Sequence, residues 1–492
     1  MASLLSRLGD LQDALDTLAR RHKVPGASLA VAREDELLDF ATGVVNADTG
    51  VETTPDSIFQ IGSNTKVFTA TLVMQLVETG QVDLDEPVRT YLKDFALDDR
   101  TAAGEITVRQ LLTHTSGIQG DYFKGFGRGE DAIERYVASL ADIDLVHRPG
   151  EMWSYCNSGF VTAGRLAEVV TGQPYHQLLA EKICGPLRLS STTIRVEEMV
   201  AKRCAVGHVP GPGGKPMVPP VVVMEYASAP AGSLTTSTAA ELVRFAQMHL
   251  RGGAGPDGGA VLSPASTRAM QEPQVALPPG TGSDGRMGIG WILDTWSGKR
   301  VIWHTGGTIG QSSFLYCVPD ESLVVTLLTN SATGGLMWRD LGRWLFDELA
   351  GMSVPQPPKA ADPPPALDLA KYAGTYERYG VRAVVTVDGD ALALQQELTH
   401  ELAEMQPAQP PAPPVKLRPI DKERFALKMA GADAVVSFSG FQAGRPAYLF
   451  LGRAARRTGA APKTTGNKKA TAKKASAKSS ARKSGAKKPA KK

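Results

Sequence analysis

The sequence predicts an α/β fold, a sandwich of helices on one antiparallel sheet, followed by a small β-barrel and a disordered basic tail. Strand-like runs occur at both ends of the first predicted domain, at 27–43 and 301–330, and a helical stretch lies between them. Terminal strands of this kind can share a single antiparallel sheet. A proline-rich segment at 353–366 is followed by further short strand-like runs, which favour a separate barrel.

The elements of the first domain follow from periodicity and turn residues. Leucines at helical spacing near the amino terminus predict an amphipathic surface helix. A Val-Pro-Gly break precedes a hairpin with strands at 27–32 and 37–43, and the pattern then becomes helical from Ser63 to Glu78. Further helices are predicted at 107–114, 131–140, 158–171, 175–182 and 238–250. The last strands of the domain are predicted at 301–303, 313–318 and 323–329.

The second half of the chain predicts a barrel between a linker and a tail. Strands are predicted at 383–387, 391–394, 425–429, 434–438 and 447–451, with a proline-rich loop at 406–414. The last residues are almost entirely Lys, Ala, Ser, Thr and Gly, with nothing to bury. The predicted organisation is an α/β domain at 1–352, a linker at 353–366, a barrel at 367–452 and a disordered tail at 453–492.

Length and composition exclude several classes of protein. The 492 residues exceed what one compact core organises, and 42% hydrophobic with 21% charged residues fits a soluble globular chain. No apolar run reaches the roughly 18 residues of a membrane span, and aspartates interrupt the first helix where a secretory signal would be apolar. The four cysteines form no C-x-x-C pair. We therefore expect a cytoplasmic protein with reduced thiols and neither a metal site nor a cofactor.

The first candidate site is the S-N-T-K sequence from Ser63 to Lys66, at the predicted start of a helix. Residues three apart share a helix face, so the two side chains can meet. A serine hydroxyl needs a base to become a nucleophile, and a lysine whose charge is disfavoured by burial can be that base. The same pattern from Ser480 and from Ser484 arises from composition alone, because only the first copy lies at a loop-to-helix junction.

The second candidate site is the Y-C-N sequence from Tyr155 to Asn157, in a loop before a predicted helix. A phenol held between cations can lose its proton below its usual pKa and carry protons between a nucleophile and a leaving group. The amide of Asn157 can bind a substrate carbonyl. Taken alone, the tripeptide fits a half-buried tyrosine next to a loop asparagine better than a catalytic pair.

The third candidate site is the H-T-G-G sequence from His304 to Gly307, which ends an apolar strand. Glycine lets a strand approach a ligand closely, so the Gly307 N–H can join the N–H of Ser63 as an oxyanion hole. We expect His304 to donate a hydrogen bond to Tyr155 or to substrate and to titrate near neutral pH.

Together, the three sites resemble the signatures S-x-x-K, Y-x-N and [K/H]-T-G of the serine β-lactamase and penicillin-binding-protein superfamily, in the family's order. The segments 81–92, 106–117, 231–236 and 288–291 are similar to its class C and D-aminopeptidase or esterase branch. The resemblance implies a β-lactamase-like sandwich with an antiparallel sheet and an all-helical subregion.

The resemblance also implies roles for the candidate residues. It makes Ser63 the acylated nucleophile, Lys66 and Tyr155 the proton-transfer pair, and Asn157 a contact of the substrate amide and of Lys66. It makes His304 the third-motif residue. The oxyanion donors would be the N–H groups of Ser63 and Gly307.

One position departs from the pattern of transpeptidases and true β-lactamases. These usually carry lysine in the third motif, whereas this chain has His304 and so lacks a permanent cation there. The pattern is closer to D-aminopeptidases, carboxylesterases and the penicillin-binding-protein-type thioesterases that release or cyclise nonribosomal peptides. Those thioesterases also join such a domain to a small lipocalin-like barrel, although hydrolases with the same layout exist.

The function predicted from the sequence is that of a serine hydrolase acting on ester or amide substrates, including D-amino-acid peptides, through a Ser63 acyl-enzyme. A first alternative keeps the acyl-enzyme but transfers it to an amine, as a peptide-cyclising thioesterase or acyltransferase does. A second alternative is a non-catalytic binding protein of the same fold. The expected partner is a small-molecule or peptide acyl substrate.

Charge is distributed unevenly along the chain. The net charge is +3, but 453–492 carries 15 basic residues and no acidic one, which leaves the rest of the chain at −12. Such a tail can contact nucleic acid or another acidic polymer without reading bases, or it can be a solvated appendage. The sequence leaves both interpretations open.

Overall fold

The computed structural model describes residue 4 and residues 9–279, 285–404, 412–429 and 432–460. Its centre is a nine-stranded antiparallel sheet. The strands follow one another across the sheet in the order Val51–Glu52, Glu36–Asn46, Gly26–Arg33, Leu323–Thr329, Gln311–Val318, Lys299–Thr308, Ile292–Trp296, Arg286–Met287 and Val275–Ala276. Strands from both ends of the domain therefore pair in one sheet, as the sequence predicted.

Alternating side chains of the central strands serve two cores. Leu29 and Val31 pack toward the terminal helices Leu11–Arg21 and Gly334–Ala350, whereas Ala30 and Ala32 face the helical subregion. This alternation is what a strand buried on both faces requires. The sequence analysis did not include the helix Gly334–Ala350, although its buried residues recur every four positions.

The helical subregion covers the other face of the sheet. Its helices are Thr65–Glu78, Arg100–Glu105, Val108–Leu112, Ala132–Ser139, Asn157–Thr171, Tyr175–Leu179, Val196–Met199, Ala239–Leu250 and Pro264–Met270. Two short strand pairs, Phe59–Gln60 with Thr236–Ser237 and Val209–Pro210 with Pro216–Met217, lie outside the main sheet. No helix in the described ranges is long and apolar enough to cross a bilayer.

The carboxyl-terminal part forms a closed eight-stranded barrel, as predicted. Its strands are Gly374–Arg378, Val381–Asp388, Ala391–Leu398, Val415–Pro419, Arg424–Met429, Ala432–Ser439, Tyr448–Phe450 and Ala454–Gly459. The first strand pairs with the last and closes the barrel. Buried aromatic side chains fill its interior, among them those of Tyr376, Phe425 and Phe438.

The barrel extends further along the chain than the sequence indicated. Residues 453–459 were assigned to the disordered tail, yet Ala454–Gly459 is the strand that closes the barrel. The strand was not predicted because its segment contains three arginines and adjoins a lysine-rich segment, which together have the composition of a basic tail. The remainder of the predicted tail, 461–492, and most of the predicted loop at 406–414 lie outside the described residues. The predicted linker at 353–366 forms neither helix nor strand.

The barrel packs on the loop that precedes the helix Asn157–Thr171. Phe450 and Ala454 of the barrel form an apolar cluster with Val146 and Trp153 of the first domain. The backbone N–H of Ala454 donates to Ser154 Oγ at 3.1 Å. The seam that closes the barrel, where Gly374–Arg378 pairs with Ala454–Gly459, therefore lies directly beside the second sequence motif.

Candidate active site

Ser63 and Lys66 meet at the start of a buried helix. Gly62–Asn64 forms a 3₁₀ turn that leads into the helix Thr65–Glu78. Lys66 Nζ lies 3.0 Å from Ser63 Oγ and donates to the Ala231 carbonyl at 2.6 Å. The turn is tied to the neighbouring strand because Asn64 donates to Ser313 Oγ at 2.7 Å.

Burial removes Lys66 from water completely. Its side chain has no exposed surface. The pKa of Lys66 lies well below its usual value because burial disfavours the ammonium, and the positive charge of Arg453 lowers it further. Cys156 and Asp121 oppose the shift more weakly. A neutral amine beside a serine hydroxyl can accept its proton.

Tyr155 is held by backbone contacts around its loop. The backbone N–H groups of Ser154 and Cys156 donate to the carbonyl and to Nδ1 of His114, at 2.9 and 3.0 Å. The Tyr155 ring centroid lies 4.9 Å from Lys66 Nζ. Burial raises the pKa of the Tyr155 phenol, while a hydrogen bond with Ser63 and the charge of Arg453 oppose the rise. The phenol therefore stays protonated, contrary to the expectation of a lowered pKa.

Asn157 is the first residue of its helix and lies next to an acid that the sequence analysis did not single out. Its side-chain amide donates to Asp121 Oδ1 at 3.4 Å. The resemblance implied a contact with Lys66, and no such hydrogen bond forms among the described residues. Asn157 is thus beside the Ser63 site but is oriented by Asp121.

His304 lies on the strand Lys299–Thr308 with its ring buried. Nδ1 lies 2.7 Å from the Thr305 carbonyl, so this nitrogen carries the proton and donates it. Burial and the nearby Lys66 lower the pKa of His304 to about 3. The prediction that His304 titrates near neutral pH is wrong, because the ring is out of water. Nε2 is buried without a partner among the described residues and presents a lone pair, so it can accept a hydrogen bond but not donate one, whereas the sequence predicted a donor.

Glycines let three chain segments converge on Ser63. A Cβ atom at Gly306 would lie 1.9 Å from the Ile61 carbonyl oxygen, and one at Gly62 would lie 2.6 Å from the backbone nitrogen of Gly307. Gly232 has a φ of 109°, and a Cβ there would lie 2.1 Å from the Gly62 carbonyl oxygen. Side chains at these positions would push the segments apart. The backbone of the predicted oxyanion donor Gly307 thus lies against the turn that carries Ser63.

Arg453 of the barrel reaches this site, and the sequence analysis missed it. Its guanidinium carbon lies 4.9 Å from the Tyr155 ring centroid, and Nη2 lies 2.8 Å from Asp121 Oδ1. Nothing in the local sequence marks this arginine among the basic residues around it. The third-motif position carries a neutral histidine, so the permanent cation beside Tyr155 comes from the barrel.

A cleft of about 880 Å³ opens beside Gly307. Its walls include Phe123, Met217, Ile309 and, from the barrel, Leu402. None of the described residues that line it is charged. No group of three His, Cys, Asp or Glu side chains suited to a metal ion occurs in the described ranges, and the four cysteines are free thiols.

Several known proteins are similar to this chain over most of its length. Penicillin-binding protein 4 of Amycolatopsis lactamdurans is 42% identical over 374 residues, which cover 75% of this chain and 97% of that protein. Unguisins hydrolase ungD' of Aspergillus campestris is 27% identical over 428 residues, 76% of this chain and 78% of that protein. The crystal structure of SurE with D-Leu is 26% identical, with a TM-score of 0.73, and covers 92% of this chain and all of that chain.

The family assignment rests on the sequence match and on the fold together. The model of the Beta-lactamase family matches residues 11–350, which contain the whole nine-stranded sheet and its helices. The chain belongs to the β-lactamase family, within the superfamily of serine β-lactamases and penicillin-binding proteins.

Proposed function

We propose that this protein is a serine hydrolase that cleaves ester or amide bonds through an acyl-enzyme on Ser63. The observation that carries the proposal is the 3.0 Å contact between Ser63 Oγ and the buried Nζ of Lys66, whose pKa is strongly lowered. A hydroxyl beside a neutral amine is an activated nucleophile. A purely structural lysine would need no serine at this position and would gain nothing from losing its charge.

Acylation begins when Lys66 takes the Ser63 proton. Ser63 Oγ then attacks the substrate carbonyl, and the resulting oxyanion accepts hydrogen bonds from the backbone N–H groups of Ser63 and Gly307. Tyr155 is protonated and hydrogen-bonded to Ser63, so it donates its proton to the leaving group as the bond breaks. Lys66, now an ammonium 4.9 Å from the Tyr155 ring, returns a proton to the phenol.

Deacylation repeats these steps with water as the nucleophile. The incoming water gives its proton to the Lys66–Tyr155 pair as its oxygen adds to the acyl carbonyl. The tetrahedral intermediate collapses, Ser63 leaves with a proton, and the free acid departs. The same pair of groups therefore serves as base and acid in both halves of the reaction.

The cleft beside Gly307 supports an apolar acyl group as substrate. It adjoins a proposed oxyanion donor, so a substrate bound at Ser63 extends into it. Its described lining is uncharged and includes Phe123, Met217 and Ile309. Pockets of this size and character hold ligands mainly by apolar contact. A long aliphatic acyl chain or a peptide with bulky apolar side chains fits these walls.

A second candidate function is transfer of the acyl group to an amine, as a cyclising thioesterase does. The buried Nε2 of His304 has no partner among the described residues and favours this function, because its lone pair can accept a hydrogen bond from the N–H of an attacking amine. The related SurE structure was solved with D-Leu, which suggests an amino-acid acceptor or donor for this chain as well.

Replacing the nucleophile tests the proposed hydrolase directly. Ser63→Ala is expected to lower the turnover of p-nitrophenyl acetate by more than about 10³-fold, because no other described hydroxyl lies within hydrogen-bond distance of Lys66 Nζ. The matched control is Ser484→Ala, since Ser484 and Lys487 repeat the spacing in the basic carboxyl-terminal sequence. Retained turnover in the Ser63 variant, or no acyl adduct in the mass spectrum of the wild type, would count against the proposal.

The pH profile tests Lys66 as the base. The neutral amine is the active form, so kcat/KM should rise with pH as Lys66 loses its proton, and the rise should be complete well below the usual lysine pKa. Arg453→Met removes a positive neighbour and so raises the pKa of Lys66. The rise in kcat/KM should therefore move to higher pH. Arg457→Met, which replaces an arginine in the strand that directly follows Arg453, should leave the pH of this rise unchanged. If kcat/KM of Arg453→Met rises at the same pH as that of the wild type, the result would contradict the assignment of Lys66 as the base.

Acyl-chain selectivity tests the apolar cleft. Across p-nitrophenyl acetate, butyrate and hexanoate, kcat/KM should rise up to about fourfold for each methylene that the cleft buries. Met217→Lys should flatten this series because it places a charge in the cleft. Met429→Lys is the control, since both methionines are 39% exposed but Met429 lies on the barrel away from the cleft. A flat series for the wild type would reject the substrate class and leave the hydrolase proposal standing.

Partitioning of the acyl-enzyme tests the second candidate function. With p-nitrophenyl hexanoate and increasing D-leucine amide, an acyltransferase should form hexanoyl-leucine amide at the expense of free acid, measured by liquid chromatography and mass spectrometry. His304→Phe keeps an aromatic ring but has no lone pair, so it should lower amide formation more than hydrolysis. Free acid as the sole product at every amine concentration would leave hydrolysis as the function.

A further inference from the structure

The carboxylate of Asp121 lies where the catalytic domain meets the barrel. Its side chain is only 6% exposed. Oδ1 is 2.8 Å from Arg453 Nη2, and Arg378 Nη1 donates to Oδ2. Oδ1 also accepts the weaker hydrogen bond of the Asn157 amide. One acid of the catalytic domain therefore contacts two arginines of the barrel.

The two arginines come from the seam that closes the barrel. Arg378 ends the first strand, Gly374–Arg378, and Arg453 directly precedes the last strand, Ala454–Gly459. These strands pair with each other. Asp121 thus contacts both sides of the seam at the point nearest the site.

Stability alone is a poor explanation for this cluster. Burying one carboxylate and two guanidinium groups costs desolvation energy that their attraction repays only partly, and apolar replacements of such clusters are often as stable. Docking of the barrel also has other sources. Arg456 Nη2 pairs with Asp144 Oδ2 at 2.9 Å, and Phe450 packs against Trp153 in the apolar cluster.

The cluster does fix one long side chain against the proposed catalytic machinery. An arginine has many rotamers, and holding it in one of them costs conformational entropy. Pairing with Asp121 keeps the Arg453 guanidinium 4.9 Å from the Tyr155 ring centroid. Without the carboxylate, two unpaired positive charges would lie side by side and repel each other.

We propose that Asp121 is a positioning residue of the active site, which holds the guanidinium of Arg453 against Tyr155 and thereby makes the barrel part of the catalytic machinery. The inference rests on the proposed function, because Tyr155 matters only if Ser63 reacts. Asp121 itself acts through Arg453 and contacts no reacting atom.

A double-mutant cycle tests the proposal. Asp121→Asn should lower kcat for a p-nitrophenyl ester about 10- to 100-fold, as displaced catalytic groups do. The same substitution in an Arg453→Met background should cost less than about threefold, because its effect passes through Arg453. A purely structural role predicts equal losses in both backgrounds. Equal losses, or a folded Asp121→Asn protein with wild-type kcat, would overturn the inference.

Further variants separate positioning from folding. Asp121→Asn combined with Arg378→Met keeps the net charge of the cluster, so it should melt near the wild-type temperature and still show the loss in kcat. Asp144→Asn removes an ion pair of the same interface away from the site and should keep kcat within twofold of wild type. Ser63→Ala, assayed alongside, distinguishes a failure of the proposed function from a failure of the inference about Asp121. Its retained turnover would reject the proposed function, whereas an inactive Ser63→Ala with an unchanged Asp121→Asn would reject only the inference.

Discussion

The structure of this site depends on keeping one amine out of water. Lys66 is completely buried, and in the described structure its amine donates only to the Ser63 hydroxyl and the Ala231 carbonyl. A lysine in that setting gives up its charge more readily than one in solvent, because burial disfavours the ammonium and the positive charge of Arg453 adds to the effect. The free energy that burial costs the ammonium favours the neutral amine, which is the form that the proposed mechanism uses as a base.

Close packing of the backbone is the second requirement for this site. The Ser63 turn lies between the segments that carry Gly232 and Gly306, and at both positions a Cβ atom would overlap backbone atoms of residues 61–62. Because no side chains intervene, the backbones of these segments lie directly against the serine turn. Under the proposed function, the N–H groups of Ser63 and Gly307 are oxyanion donors that are fixed before substrate arrives and cost no reorganisation during the reaction.

Local spacing made part of the site predictable. Ser63 and Lys66 are three residues apart at a helix start, so their contact follows from helix geometry. The environment of His304 did not follow, because its pKa and tautomer depend on burial and on the Thr305 carbonyl. Arg453 and Asp121 are more than 300 residues apart and share no motif. Only the folded chain brings them together, and the basic composition around Arg453 concealed the barrel's last strand.

The position of the permanent cation links the two domains. In the third motif, this chain has a neutral imidazole where transpeptidases and true β-lactamases usually carry lysine. A lysine in that strand would supply a positive charge without any contribution from a second domain. In this chain the cation beside Tyr155 is Arg453, which enters from the barrel and pairs with Asp121. Its charge lowers the pKa of Lys66 and opposes the rise in that of Tyr155. The two groups that we propose as the proton-transfer pair are therefore tuned by a residue of the barrel.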